Sequence, residues 1–228
     1  MRCEFDNSST PGRMYDFYQQ LLGTFGHQKW WPGDTPWEIA LGAVLTQNTS
    51  WTNVEKAICS LKSENAISVQ TIATLPDEEL ARLIRPSGYH NLKTKRVKNL
   101  AHWWLNNFER VSNSKVAMEE IRTSLLMVKG IGEETADSIL VYALGRKSFV
   151  VDAYTRRFLE RHKIIESSLS YKGIQELIEM NLPSDVCVYN EFHALIVHLG
   201  KTYCRPKPQC EQCPLQYDLS SESLKCTP

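Results

Sequence analysis

Residues 126–137 read LMVKGIGEETAD, and in this stretch Gly130 and Gly132 flank a single aliphatic residue, Ile131. Helical patterns of apolar residues lie on both sides, so the segment predicts a hairpin between two helices, over about residues 119–144. Glycine permits positive φ and close approach of another backbone, and the free N–H groups of the second helix suit a phosphate. The alternative is a plain turn between two helices, because glycine is common at helix ends.

The rest of the 228-residue chain continues this helical pattern, and its strand signals are weak. Apolar residues recur three or four positions apart, with proline in first turns and glycine after last turns. We therefore predict an all-α fold in which residues 149–151 form a short extended stretch. The predicted helices lie near residues 14–25, 37–45, 51–61, 75–84, 95–108, 121–127, 134–144, 153–162, 171–181 and 190–201.

Composition and charge exclude two classes of protein. Lys and Arg together number 26, as do Asp and Glu, so the formal net charge is zero and the chain is not a non-specific polycation. There is no apolar run of a signal peptide, nor the roughly 18 consecutive apolar residues of a spanning helix. We expect a cytoplasmic protein with no membrane partner.

Four of the seven cysteines crowd the end of the chain, at Cys204, Cys210, Cys213 and Cys226. Cytosolic cysteines rarely form structural disulfides, so such a group favours a metal site. Four thiolates suit a [4Fe–4S] cluster or a structural zinc ion. Their chemistry leaves both possibilities open.

The hairpin and three other segments resemble the helix-hairpin-helix-GPD signature of the endonuclease III superfamily of DNA glycosylases. The stretch VKGIGEETAD is followed by FVVDAY at residues 149–154. LTQNT at residues 45–49 resembles the family's early glutamine-bearing segment, and GYHNLK at residues 88–93 resembles its G-[LY]-[YH]-N-x-K turn. The C-terminal cysteines resemble its cluster loop. The resemblance covers most of the chain and implies that damaged or mismatched bases are excised from double-stranded DNA.

The resemblance also implies two helical lobes in a monomeric, nucleoid-associated enzyme of a bacterium or archaeon. Residues 36–146 would form a six-helix barrel, and residues 1–35 with 147–228 would form the lobe that carries the cluster loop, 204–226. The target base would be flipped out of the duplex into a pocket. Gln47 resembles the residue inserted into the vacated space, although a surface glutamine at a helix end would look the same. The hairpin would contact DNA through Lys129, Gly130, Ile131, Gly132 and Thr135.

Asp152 and Glu134 carry the mechanistic prediction. Excision passes through an oxocarbenium-like sugar, which a carboxylate at Asp152 would stabilise while it orients or deprotonates water. Asp152 would also suit a helix N-cap. Bifunctional family members use a lysine nucleophile 18 residues before the aspartate, and Glu134 occupies that position here. A carboxylate cannot form a Schiff base, so we predict a monofunctional glycosylase, in which Glu134 faces the pocket or simply suits the helix dipole.

Trp30-Trp31-Pro32-Gly33 and residues 41–51 resemble the 3-methyladenine glycosylase branch of the superfamily, of the MagIII and methylpurine glycosylase II type. The resemblance implies that aromatic rings hold an alkylated purine, and Trp30, Trp31 and Trp51 are the candidates, although tryptophan is more often a core residue. Lys201 is similar to a lysine that is carbamylated near the pocket in that branch, and a surface or phosphate contact is its alternative.

Other functions stay open from the sequence alone. The substrate could be a uracil or thymine mismatch, hypoxanthine or an oxidised purine, or the enzyme could be an endonuclease III-like glycosylase and lyase. A DNA-binding module without catalysis is the third alternative, which the presence of Asp152 disfavours.

For the cysteines, the resemblance favours a [4Fe–4S] cluster over zinc. The last gap is longer than in the family's cluster loop, so Cys226 is the ligand that matches least well. The cluster would hold Arg205 and Lys207 toward phosphates. Further cations could mark a DNA-facing surface or be the solvated sides of helices: Lys93, Lys95, Arg96, Lys98, Arg156 and Arg157.

Overall fold

The computed structural model describes residues 10–28 and 30–219, and within these ranges the chain is helical and has no β-strand. The all-α prediction is confirmed. The chain divides into two compact units: unit 1 contains the residues up to Trp30 and from Lys147 onward, and unit 2 is Trp31–Arg146. The sequence-based division began the second unit at residue 36. The structure begins it at Trp31, because this indole packs against Trp51 and Tyr142 of the same unit.

The helices are numbered along the chain, with α1 and α9–α11 in unit 1 and α2–α8 in unit 2. They are α1 (Thr10–Phe25), α2 (Pro36–Leu45), α3 (Trp51–Ser63), α4 (Val69–Thr74), α5 (Asp77–Leu83), α6 (His90–Ser112), α7 (Met118–Leu126), α8 (Glu133–Ser138), α9 (Ala153–Arg161), α10 (Tyr171–Met180) and α11 (Val186–Thr202). The sequence pattern missed α4, because six residues are too few to show a periodicity. It also predicted one α-helix where α8 continues as a π-helical turn, Ile139–Ala143.

Several helices begin at residues whose side chains cap them. Thr35 Oγ1 accepts a hydrogen bond from Glu38 N at 3.1 Å, and Pro36 occupies the first turn of α2. Ser170 caps α10 in the same way, through Gly173 N. These local signals explain why most predicted helix starts lie within a few residues of the observed ones.

Each unit has its own apolar core. In unit 2 the fully buried Leu41, Val44 and Leu45 of α2 lie in a core shared with α6. In unit 1 the ring of Phe17 on α1 meets Phe158 on α9 edge to face, with ring centroids 5.3 Å apart. Within the described ranges, no helix combines the length and the apolar character needed to cross a bilayer.

Lys93 is buried in unit 2 with 1% of its surface exposed, so its grouping with surface cations is wrong. Its ammonium donates hydrogen bonds to Leu45 O at 2.8 Å and to Ser87 O at 2.7 Å. Burial, and secondarily the charge of Arg96, lowers the pKa of Lys93 to about 8. The side chain therefore joins the last carbonyl group of α2, where a cation also suits the helix dipole, to the turn at Ser87.

Candidate catalytic and DNA-binding residues

Asp152 lies in unit 1 between the extended segment 149–151 and α9, which it caps. Its Oδ1 accepts a hydrogen bond from Thr155 N at 2.7 Å, and its Oδ2 lies 3.5 Å from His193 Nε2. Burial alone would raise the pKa of Asp152. The nearby imidazole of His193 and the hydrogen bond from Thr155 N together outweigh burial and lower this pKa below its ordinary value. The carboxylate is therefore ionised at neutral pH.

Polar side chains of α10 hold the extended segment that leads to Asp152. Phe149 N donates to Glu179 Oε1 at 2.8 Å, and Gln175 Nε2 donates to Phe149 O at 2.7 Å. Val151 N donates to the Tyr171 hydroxyl at 3.3 Å. Main chain outside regular structure needs such partners when it is buried. The braced segment and the α9 cap together fix the position of Asp152.

Trp30 and Lys201 lie on the other side of His193, also in unit 1. The Trp30 and His193 rings meet at 67°, with centroids 6.2 Å apart, and Lys201 Nζ lies 5.8 Å from the centroid of Trp30. Lys201 is exposed, so this is a solvent-facing cation–π contact. Two of the predicted site residues, Trp30 and Lys201, are thus brought together.

Sequence reasoning missed His193. The signal that could have found it is a histidine within the strongly apolar run FHALIV at residues 192–197. Such a residue requires a polar partner when it is buried, and here the partner is Asp152.

Trp31 and Trp51 form an aromatic group with Tyr142 in unit 2. The Trp31 ring stacks on Tyr142 at 4.9 Å and 22°, and Trp51 meets Trp31 edge-on at 5.0 Å and 79°. A Cβ atom at Gly42 would lie 3.3 Å from Trp31 Nε1 and 3.4 Å from the Trp51 ring, so glycine makes room for both indoles. Two of the three predicted tryptophans therefore meet, but as a nearly perpendicular pair rather than a parallel sandwich. Sequence reasoning missed Tyr142, which the π-helical turn carries.

Gln47 is tied to the hairpin formed by α7 and α8. Its Nε2 donates to Gly130 O at 3.1 Å and to Thr135 Oγ1 at 3.0 Å, while Arg96 donates to its Oε1. Gly130 has a φ of 101°, a conformation that favours glycine. In this structure Gln47 thus spans the hairpin.

The other hairpin residues divide into an exposed and a buried set. Lys129, Gly132 and Glu134 are exposed, with Glu134 in the first turn of α8. Ile131 and Thr135 are only 6% and 7% exposed, so their side chains belong to the interior of the hairpin.

Besides Lys93 and Arg96, three of the cations assigned to a possible DNA-facing surface are engaged with the protein. Arg156 donates to Leu169 O at 2.9 Å. Lys98 pairs with Asp77. Arg157 donates to Cys204 O at 2.8 Å and to Gly200 O at 3.4 Å, so it braces the start of the cysteine loop.

Three of the four predicted metal ligands lie in the loop after α11, while Cys226 lies outside the described residues. Cys213 N donates to Cys210 O at 3.1 Å, and Arg161 Nη1 lies 3.3 Å from Cys204 Sγ. Burial raises the pKa of the Cys213 thiol to about 11. Within the part of the chain that the structure describes, no group of three or more His, Cys, Asp or Glu side chains is arranged to hold a metal ion.

Residues 41–184 match the family model of the HhH-GPD superfamily of base excision DNA repair proteins. The chain belongs to this superfamily. The match includes Gln47, the hairpin and Asp152, which are therefore parts of an HhH-GPD domain rather than of an isolated helical hairpin.

Comparisons with individual proteins agree with the family. The chain is 46% identical over 206 residues to a candidate DNA repair glycosylase of Methanocaldococcus jannaschii, which covers 89% of this chain and 94% of that protein. It is 28% identical to endonuclease III of Sulfolobus acidocaldarius, over 77% of this chain and 78% of that one. A crystal structure of the Helicobacter pylori 3-methyladenine glycosylase MagIII bound to 1,N6-ethenoadenine matches with a TM-score of 0.70 and 30% identity, over 85% of this chain and 97% of that chain.

Other relatives are thymine/uracil and adenine DNA glycosylases. This HhH-GPD protein is therefore a DNA glycosylase of base excision repair, an N-glycosyl hydrolase whose partner is DNA.

Proposed function

We propose that this glycosylase excises alkylated purines, such as 3-methyladenine, with water as the nucleophile. The observation that carries the proposal is that Asp152 is ionised, while a second carboxylate, Glu134, stands at the sequence position where bifunctional members have their lysine. A carboxylate offers no amine for a Schiff base, so the remaining nucleophile is water activated by Asp152.

Asp152 would act on the sugar rather than on the base. As the N-glycosidic bond breaks, its electron pair leaves with the base and positive charge develops on the deoxyribose. The nearby carboxylate stabilises that charge, and the water oxygen bonds to C1′ while its proton passes to Asp152. An N-alkylated purine is cationic and departs as a neutral base, so the enzyme needs little acid catalysis. The product is an intact abasic site.

The aromatic groups support the choice of substrate. In unit 2 the Trp31, Trp51 and Tyr142 rings offer electron-rich faces, and in unit 1 Trp30 already holds the cation of Lys201. Such faces attract a cationic base more than its neutral counterpart. The similarity to MagIII, which was crystallised with ethenoadenine, points to the same substrate class. Carbamylation of Lys201, by addition of carbon dioxide to its neutral amine with loss of a proton, would replace the positive charge that lies over Trp30 with an anionic carbamate.

We propose that the HhH hairpin and Gln47 bind the DNA around the flipped base. The exposed Lys129 and the backbone of Gly130, Ile131, Gly132 and Thr135 would meet phosphate oxygens. To enter the vacated space, Gln47 must exchange its hydrogen bonds to Gly130 and Thr135 for bonds to DNA. The enzyme would act as a monomer on chromosomal DNA.

Cys204, Cys210, Cys213 and Cys226 are the residues that would hold a [4Fe–4S] cluster. Endonuclease III-like homologues usually carry one, whereas the MagIII branch lacks it. The donor set fits a cluster in two respects: three thiols share one loop, and the Arg161 guanidinium beside Cys204 Sγ favours a negatively charged ligand. The cluster would have a structural role, because it would hold the loop that carries Arg205 and Lys207 near the DNA backbone. Zinc is the alternative, and visible absorbance with iron and zinc analysis separates the two.

The second candidate is excision of thymine or uracil from mismatches. Thymine/uracil glycosylases are among the relatives, at 25% identity over 84% of this chain for the one from Methanothermobacter thermautotrophicus. In that case the aromatic rings would stack on a neutral pyrimidine.

The test uses duplexes that each carry one lesion: N3-alkyladenine, ethenoadenine, hypoxanthine, uracil, thymine opposite guanine, or oxidised guanine. Each reaction is analysed directly, after hot alkali, and after borohydride, with Asp152→Asn as the matched control. We expect alkylpurine excision that is seen only after alkali, forms no trapped adduct and is lost in Asp152→Asn. Excision confined to mismatched pyrimidines would replace the substrate assignment, and a trapped adduct would overturn the water mechanism.

A further inference from the structure

We propose that His193 is a positioning residue, which holds the Asp152 carboxylate ionised and oriented for excision. The inference rests on the proposed role of Asp152. The two carboxylate oxygens have separate partners: Oδ1 accepts from Thr155 N at 2.7 Å, and Oδ2 faces His193 Nε2 at 3.5 Å. The first contact caps the N-terminus of α9. The second contact joins Asp152 to His193 of α11, which lies 41 residues further along the chain.

The burial of the pair makes this second contact important. The Asp152 and His193 side chains are 12% and 5% exposed. A carboxylate with so little access to water is ionised only where a charge or several hydrogen bonds replace its hydration. The hydrogen bond from Thr155 N alone is an ordinary helix cap, as in many helices with no catalytic role. The imidazole adds a polar partner at the second carboxylate oxygen, which a cap does not supply.

His193 is itself held in place by aromatic rings. Trp30 meets the imidazole at 67°, and Phe149 meets it at 81° with centroids 6.1 Å apart. Phe149 belongs to the extended segment 149–151, which leads to Asp152. The imidazole therefore packs against the start of this segment and contacts the carboxylate of the residue that follows it, so it can set the direction of Asp152 Oδ2.

The groups around the pair allow its titration to be interpreted. From α9, the groups facing Asp152 are the N–H and hydroxyl of Thr155, and from α11 the imidazole of His193. Trp30 and Phe149, which pack against His193, carry no charge. Lys201, two turns further along α11, lies over the ring of Trp30. We expect the acid limb of activity to follow the Asp152 carboxylate, which Thr155 and His193 contact.

Two variants separate the polar contact from the packing. His193→Gln keeps a side-chain N–H donor and removes the imidazole, whereas His193→Phe keeps an aromatic ring and removes the donor. The rate of single-turnover excision would be measured as a function of pH, on the duplex of the lesion panel that the wild type excises fastest. In His193→Phe we expect the acid limb to move to higher pH by about one unit or more, and the maximal rate to fall at least roughly tenfold. His193→Gln should recover much of the maximal rate while its acid limb stays shifted.

A purely structural histidine would give a different result. It would lower the amount of folded enzyme in both variants and leave the pH profile of the remaining activity unchanged. Coincident acid limbs for the wild type and both variants would therefore overturn the proposal.

Urea unfolding between pH 3 and 7 tests the pair without any substrate. The wild-type midpoint should fall as Asp152 is protonated, this component should be absent in Asp152→Asn, and it should move to higher pH in His193→Phe. If the pair behaves so but Asp152→Asn still excises bases, the proposed mechanism fails and the contact stands. If excision requires Asp152 but the acid limb of the pH profile is the same with and without His193, the proposed mechanism stands and the role of His193 fails.

Discussion

Arg122 and Asp137 form a bidentate ion pair in the interior of unit 2. Arg122 Nε donates to Asp137 Oδ1 at 3.0 Å and Nη2 donates to Oδ2 at 3.1 Å, and the two side chains are 9% and 0% exposed. Because Arg122 lies on α7 and Asp137 on α8, the pair joins the two helices of the hairpin. Arg122 also lies 3.3 Å from Glu133 in the first turn of α8.

Breaking this pair should destabilise the protein strongly. Arg122→Met leaves the carboxylate of Asp137 buried without its cation, which costs about 3–5 kcal/mol in comparable sites. The matched control is Arg110→Met, which removes an exposed ion pair with Glu120 and should cost less than about 1 kcal/mol. The free energy of unfolding in urea at pH 7 measures both. Equal losses of unfolding free energy in the two variants would show that the buried pair stabilises the protein no more than the exposed pair does.

Gly130 should be far less replaceable than Gly132. At Gly130 the φ of 101° strains any other residue, and a Cβ atom would lie 2.4 Å from Arg96 Cγ, which would push away the arginine that binds Gln47. Gly130→Ala should therefore lower the free energy of unfolding by about 1–3 kcal/mol and weaken DNA binding. Gly132, the control, has a φ of −98° and nothing within 4 Å of a Cβ. Urea unfolding and duplex titration would contradict this account if Gly132→Ala lost as much stability.

The sequence predicted what local patterns determine and missed what distant contacts determine. The hairpin, most helices and the place of Asp152 follow from apolar spacing, glycines and capping residues, all within a few positions. His193, Tyr142 and the α10 side chains that brace Phe149 act on residues that are close only after folding. The sequence pattern grouped Lys93 with surface cations because lysine is rarely fully buried. No local signal marks the two carbonyl groups that it binds in the interior.

The buried Lys93 should make stability rise with pH in the alkaline range. Its pKa is lowered to about 8 in the folded protein, while in the unfolded chain it is near the ordinary 10.5. Between these values the unfolded state binds more protons, so the free energy of unfolding increases with pH. Relative to Lys93→Met, the wild type should gain about 2 kcal/mol between pH 7 and 9.5.

Lys95, which is exposed on the same helix, supplies the control for this prediction. Lys95→Met should keep a constant difference from the wild type across the range, because it leaves the buried ammonium of Lys93 in place. Urea unfolding at several pH values measures the two differences. A pH-independent difference for Lys93→Met would mean that the ammonium stays charged in the folded protein.

Glu134→Lys should convert the enzyme toward lyase chemistry. Glu134 is exposed in the first turn of α8 and lies 18 residues before Asp152, where bifunctional superfamily members have their lysine. An amine there can attack C1′ and form a Schiff base, which borohydride traps as a covalent protein–DNA adduct and which leads to strand cleavage without alkali. Glu134→Arg is the matched control, because it brings the same charge with a guanidinium that stays protonated and is not a nucleophile. We expect an adduct with Glu134→Lys and none with the wild type or Glu134→Arg. An adduct in all three would place the nucleophile at another lysine, and so would remove the argument that Glu134 makes this a water-dependent glycosylase.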